Sequence, residues 1–270
     1  MYKLSVIGVG NMAKAIIGGV VNSKDNTFKI TLFDKNESQY EDVKKLSFDF
    51  VCANDITSAI EGSDLVLLAV KPQTYDEVLS EIALCKDYEK KTYVSIAAGI
   101  TVEEVSSKLG GADVVRVLPN LPMVIGKGVS LICKNDNVEK KMFDCVVSLF
   151  SLSGSVKIID EQEMNRLISV TSSSPAYVFE FIDSIYKGAL AQGLDGEGLI
   201  PVICDVIIGS AMLLKDSADT PSQLISKVAS KGGTTEQAIK SLRESNFDGI
   251  IEKAMVACTT RADELGKKKQ

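Results

Sequence analysis

Two glycines and two threonines, Gly232, Gly233, Thr234 and Thr235, stand between two helix-like patterns in a chain of 270 residues that contains no histidine. Thr234 followed three residues later by Gln237 has the spacing of a capping box, so a helix TEQAIKSL is expected to begin there with free N–H groups facing the glycines. Such an end attracts a carboxylate, and glycines let a ligand approach the backbone closely. The hydroxyl of Thr234 or Thr235 left over from capping is then available to hydrogen-bond a ring nitrogen.

A second candidate lies at the N-terminal end. VIGVGNMAKAIIGG places Gly8, Gly10 and Ala13 in GxGxxA spacing, directly after a strand-like run and at the start of a helical pattern. That context is what a dinucleotide fingerprint requires: a tight turn at Gly8, close pyrophosphate approach at Gly10, and helix N–H groups aimed at the phosphates. Asn11 and Met12 line the same turn. At the end of the next strand, Asp34 stands where an acidic side chain accepts the ribose hydroxyls of NAD, whereas its neighbour Lys35 suits the 2′-phosphate of NADP. NADH and NADPH both remain open. AVKPQ, with Ala69, Val70, Lys71 and Pro72, and SIAAGI, with Ala97 and Ala98, follow two further apolar runs. Both therefore fall at carboxyl ends of a sheet, where ligands of doubly wound folds bind.

The missing histidine narrows the chemistry. Reduction of a carbonyl to an alcohol calls for a proton donor, most often histidine. A cyclic imine that arrives protonated needs little such help, so holding two reactants in line becomes the main task.

Elements must position these groups. From Met1 to about residue 160, β-branched runs (KLSVIGV, KITLFD, DLVLLAV, TYVSIAA, DVVRVLP) alternate with amphipathic stretches, which reads as a doubly wound parallel α/β sheet of Rossmann type. A further strand pair, GVSLICK and GSVKIID, flanks the helix NVEKKMFDCVVSLF. After Asp160 the β pattern stops and helices follow, broken at TSSSP, GLDGEG, DSADTP and SKGG. The expected division is a dinucleotide-binding domain over 1–160 and a helical substrate-binding and dimerisation domain over 161–270. The helix after Pro175 is apolar on more than one face, and Leu199–Leu214 is apolar nearly all round. The latter is expected to be a buried helix, covered in part by a second subunit.

With 45% hydrophobic and 24% charged residues and a net charge of −6, nucleic acid is not an expected partner. Six scattered cysteines without a CxxC pair or any histidine give no metal site and read as small core residues. The chain opens straight into a strand and has no apolar run of the roughly 20 residues a membrane span needs, so a cytoplasmic location without membrane association is expected. Lys267 to Lys269 read as a frayed tail.

Taken together, VIGVGNMA, LAVKPQ, SIAAGI, RVLPNLP, SSSPAYVF and above all LISKVASKGGTTEQAI resemble the pyrroline-5-carboxylate reductases over nearly the whole length. The resemblance implies an NAD(P)H-binding Rossmann domain and a helical domain interlocking with a second copy as a homodimer, with a decamer of dimers as the larger ring. It implies 1-pyrroline-5-carboxylate as substrate, its carboxylate at Gly232 to Thr235 and its ring nitrogen at Thr235. By the same match Lys71 and the rest of AVKP border the nicotinamide half of the cofactor, and Asn54 contacts its adenosine part. Two departures stand out: Ser172 and Ser174 occupy usual glycine positions, and the spacing from Asn54 to AVKP is longer than usual. Other readings are a related hydroxyacid-dehydrogenase or imine reductase, which would lack the GGTT corner, and a dinucleotide-binding regulator that turns nothing over.

Overall fold

The computed structural model describes residues 1–23, 27–46 and 48–267. The end of the lysine-rich tail, residues 268–270, lies outside the described residues. The described residues form two compact units, one of 1–173 with 258–267 and the other of Ser174–Ala257.

The first unit is built on eight strands: β1 (Tyr2–Ile7), β2 (Phe28–Phe33), β3 (Phe50–Cys52), β4 (Leu65–Leu68), β5 (Thr92–Ser95), β6 (Asp113–Leu118), β7 (Gly128–Lys134) and β8 (Gly154–Ile158). Their order in the sheet is 3-2-1-4-5-6-7-8. All neighbouring pairs are parallel except β6 with β7. The sheet is thus mostly parallel, and the connection explains its antiparallel step. The chain between β6 and β7 is only a short 3₁₀ segment, Leu121–Ile125, too short for the crossover that parallel pairing needs.

Helices cover both faces. α1 (Asn11–Ser23), α2 (Tyr40–Lys44), α3 (Ile56–Ile60), α4 (Tyr75–Ile82), α5 (Val102–Lys108), α6 (Lys140–Ser151) and α7 (Glu161–Leu167) complete the sheet unit. α1, α2 and α6 pack on one face with Ile16, Ile17, Val20, Val43 and Phe150. α3, α4, α5 and α7 pack on the other with Ile60, Leu79, Val105 and Met164. β4 shows why the strands read as unbroken apolar runs: Leu65, Val66, Leu67 and Leu68 are all fully buried, pointing alternately into the two cores. Each such side chain contributes about 1.5–3 kcal/mol relative to exposure. β3 and α3 lay below the sequence pattern, being three and five residues long. Asp55 caps α3 with a reciprocal capping box to Ser58.

The second unit holds α8 (Ser174–Ala191), α9 (Leu199–Asp216), α10 (Pro221–Val228), α11 (Thr234–Glu244) and the start of α12 (Phe247–Lys267). The break between α11 and α12 falls at Asn246, which takes a positive φ of 56°. Within its own unit α9 is left largely uncovered, as the expectation of cover from a second subunit requires. Val202, Val206, Ile208, Met212 and Leu213 all stand more than half exposed, and Ile203 is the one buried residue of the whole unit. A helical segment of this size with a single buried side chain cannot offset its own ordering entropy, so its apolar surface requires a neighbour.

Candidate active site

The sheet order reverses at β1 and β4, and a cleft of about 280 Å³ opens there at the carboxyl ends of the strands. Gly8, Gly10, Asp34, Lys35, Ala69, Val70 and Lys71 all line it, drawn from three segments far apart in sequence. Ile7, Phe33, Ile56 and Val78 add apolar walls, and Gln39, Thr74 and Glu77 add polar ones.

Gly8 is required for two reasons. Its φ is +93°, and a Cβ there would lie 2.8 Å from Val70 Cγ1 and 2.9 Å from the backbone of Ala69. The tight fit is fastened by hydrogen bonds from Gly8 N to Phe33 O and from Ala69 N to Ile7 O, both 2.8 Å. Gly10 is different: a Cβ there meets nothing within 4 Å, so the cleft over it is open to a ligand that needs the backbone. Lys14 N donates to Gly10 O at 2.9 Å, which starts α1 at the cleft with its first N–H groups unpaired by helix geometry.

Asp34 is held, not loose. Its Oδ2 accepts from Val9 N at 2.7 Å and its Oδ1 from Asn36 N at 2.8 Å, while Tyr40 Oη pairs with the Asp34 backbone. A carboxylate has about four acceptor positions, so two remain for ribose hydroxyls. Lys35 Nζ reaches Glu77 Oε1 at 2.6 Å across 42 residues of sequence. That hydrogen bond and the Glu77 charge hold the exposed Lys35 ammonium above its ordinary range.

Other sequence candidates fall beside the cleft. Asn11 opens α1 and is exposed on a neighbouring groove, and Met12 packs against the core. Asn54 is exposed between β3 and the start of α3. Pro72 begins the 3₁₀ turn Pro72–Thr74 with Lys71 as its extended N-cap. Ala97, buried, and Ala98, exposed, follow β5 in a turn closed by Gly99 at φ +77°. Beneath that turn the sequence reading missed Tyr75. Its hydroxyl donates to Leu68 O at 2.8 Å and pairs with Ser95 Oγ at 3.1 Å, tying the end of β4 to the end of β5. Burial raises its pKa, so it stays a neutral phenol.

The segment RVLPN is also anchored. Arg116, 3% exposed, pairs with Glu161 at 2.8 Å and reaches Asn165 at 3.4 Å. Asn120 donates to Thr171 O at 3.1 Å and accepts from Val129 N at 2.8 Å. Ser172, at a position where the resembled family has glycine, uses its hydroxyl to donate to Pro119 O at 3.2 Å.

In the second unit the GGTT corner departs from the expected cap. Gly233 is the N-cap of α11, Thr234 and Thr235 are its first two residues, and no side chain caps it. Gly232 takes φ +76°, and its N–H donates to Glu236 at 2.8 Å, so a glutamate inside the helix does the reaching back. The threonine-glutamine box occurs instead at Thr220 and Gln223 on α10. Both hydroxyls of the corner are thereby released from capping.

Comparisons with known proteins identify the family to which the chain is similar. A family model described as pyrroline-5-carboxylate reductase dimerisation matches residues 161–265, and one described as NADP oxidoreductase, coenzyme F420-dependent, matches residues 3–99. The pyrroline-5-carboxylate reductase of Corynebacterium melassecola is 32% identical over 99% of this chain and 100% of its own. The chain belongs to the pyrroline-5-carboxylate reductase family. Membership makes it an NAD(P)H-dependent oxidoreductase with a Rossmann-type sheet and a helical dimerisation region. The reductase of Aquifex aeolicus is 33% identical over 98% of this chain and 97% of its own. Among solved structures, the Plasmodium falciparum pyrroline carboxylate reductase with NADP bound superposes with a TM-score of 0.87 at 25% identity, covering 98% of each chain. Reductive aminases and imine reductases of Aspergillus terreus, near 14% identity, share the fold alone.

Proposed function

We propose that this chain is a pyrroline-5-carboxylate reductase that transfers a hydride from NADH or NADPH to 1-pyrroline-5-carboxylate, giving L-proline in the last step of proline biosynthesis. The match to reductases along the whole chain carries the proposal. The cleft at the switch point agrees with it, because Gly8, Gly10 and Asp34 fit a dinucleotide. When bound, the reduced nicotinamide supplies the hydride.

The chain's own residues do the rest by position. Gly8 and Gly10 bring backbone N–H groups to the pyrophosphate, and Asp34 accepts from the adenine-side ribose. Asn11 and Met12 shape the same turn, with Lys35 and Asn54 on the adenosine side. Ala69, Val70, Lys71 and Pro72, with Ala97 and Ala98, bound the nicotinamide side. Gly232, Gly233 and Thr234 hold the substrate carboxylate at the start of α11, and Thr235 hydrogen-bonds the ring nitrogen. A histidine-free chain suits this chemistry, since an iminium carbon accepts hydride without a general acid.

The working unit is a homodimer, with a decamer of dimers as the larger assembly. The division of labour places cofactor binding in 1–160 and substrate binding and dimerisation in 161–270. The exposed apolar faces of α8 and α9 support the dimer. A cytoplasmic location without membrane association follows from the same reading. Among the described residues no helix is long and apolar enough to cross a membrane.

The test is oxidation of NADH or NADPH by purified protein with pyrroline-5-carboxylate, with proline identified as product. Thr235→Val should lower kcat about tenfold, the loss of roughly one hydrogen bond, while nucleotide affinity holds. Thr235→Ser should restore most of it. Binding without turnover would refute the reductase reading, and unchanged kcat in Thr235→Val would refute the ring-nitrogen contact.

A further inference from the structure

Lys35 is the cation placed to meet a 2′-phosphate, since it directly follows Asp34 at the end of β2. In the structure it is already engaged: Glu77, projecting from α4 into the same cleft, holds it at 2.6 Å. Asp34 cannot swing out of the way either, because Val9 N and Asn36 N each fix one of its oxygens. Lys71, the other cation on the cleft, follows β4, which is separated from β2 by β1 in the sheet. The ribose end of the cleft therefore presents two carboxylates and one lysine whose charge is matched.

We infer that this enzyme selects NADH over NADPH, and that Glu77 sets the selectivity by occupying Lys35 and adding a second negative charge beside the rigid Asp34. A free ribose 2′-hydroxyl donates to the acceptor positions left on Asp34. A 2′-phosphate, close to doubly charged at neutral pH, meets like charge and finds Lys35 already paired with Glu77. Glu77 acts through Lys35 and through its own charge, so it is a positioning residue that reads one substituent of the cofactor. The inference rests on assigning the cleft to the adenine-side ribose.

The experiment measures dissociation constants of NADH and NADPH by quenching of intrinsic tyrosine fluorescence or by calorimetry. Adenosine 5′-monophosphate and adenosine 2′,5′-bisphosphate serve as probes of the ribose end alone. Wild type should bind NADH at least tenfold more tightly than NADPH, and the fragments should rank the same way. Glu77→Gln, an exposed change that leaves the core untouched, should shift the NADPH-to-NADH ratio about fivefold toward NADPH, and a second change, Lys35→Ala, should remove most of that gain. A merely structural role for Glu77 would move both nucleotides together and leave their ratio fixed. Equal or tighter binding of NADPH by wild type, an unmoved ratio in Glu77→Gln, or a gain left undiminished by Lys35→Ala would overturn the inference. If Asp34→Ala changes the affinity of neither nucleotide, the assignment of the cleft itself is wrong.

Discussion

Replacing either of the two cleft glycines by alanine adds a single methyl group, and the structure gives the two substitutions opposite consequences. At Gly8, φ is +93°, which costs an L-residue roughly 1–2 kcal/mol. The added Cβ would lie within 3 Å of Val70 Cγ1 and of two backbone atoms of Ala69, and the latter cannot move without breaking the Ala69 N to Ile7 O bond. Forcing a methylene into a packed site costs about 1–3 kcal/mol more. Gly8→Ala should thus lose roughly 2–5 kcal/mol of stability as well as cofactor binding. At Gly10 the φ is not positive and no atom lies within 4 Å of the new Cβ. Gly10→Ala should therefore fold within about 0.5 kcal/mol of wild type. Its methyl group, however, projects into the open space over the backbone assigned to the proposed pyrophosphate. Losing one charge-assisted hydrogen bond there costs about 1.5–3 kcal/mol, or roughly 10- to 100-fold in affinity. Urea denaturation and NADH titration of both variants separate the two effects. If Gly10→Ala binds NADH within twofold of wild type, the pyrophosphate does not pass over Gly10, and the cleft is not the dinucleotide site.

Three further expectations follow from other parts of the molecule. Glu161→Gln removes the charge from a pair whose arginine is 3% exposed and whose carboxylate is 32% exposed, so it should cost about 2–3 kcal/mol in denaturation, below the figure for a fully buried pair. Val206→Glu puts a charge on the exposed apolar face of α9 and should shift sedimentation from dimer toward monomer, with Tm falling and becoming more dependent on protein concentration. Burial pushes the thiols of Cys133 and Cys145 up to about 12, whereas Cys52 is exposed, so iodoacetamide at pH 8 should label Cys52 and spare the other two in the native protein. Because those folded pKa values are raised from an unfolded value near 9, the native state keeps protons that the unfolded chain releases. The resulting stability is complete below pH 9 and declines as pH climbs toward 12, which denaturation midpoints across that window will check.

Local chemistry was legible in the sequence wherever neighbours in the chain are also neighbours in space. Gly8 and Gly10 are read from spacing because one turn between a strand and a helix holds them both. Asp34, Ala69, Val70 and Lys71 meet on one cleft because a parallel sheet brings neighbouring strands' carboxyl ends to the same edge. Apolar runs such as Leu65–Leu68 identify a strand buried on both faces without any knowledge of what buries it.

Tertiary structure decided what spacing alone leaves open. Nothing near Lys35 in the sequence points to Glu77, which only the fold of α4 over the cleft brings to 2.6 Å. The same holds for Tyr75 against Ser95 and for Arg116 against Glu161, pairs separated by 20 and 45 residues. At the GGTT corner the expected Thr234–Gln237 box does not form: a positive φ at Gly232 accompanies its N–H donating to Glu236, and both threonines lie inside the helix. Periodicity marked α8 and α9 as apolar on several faces but could not count their neighbours. Hydrophobic patterning records which side chains need cover, and only the folded unit, with its single buried residue, shows how much of that cover it does not supply itself.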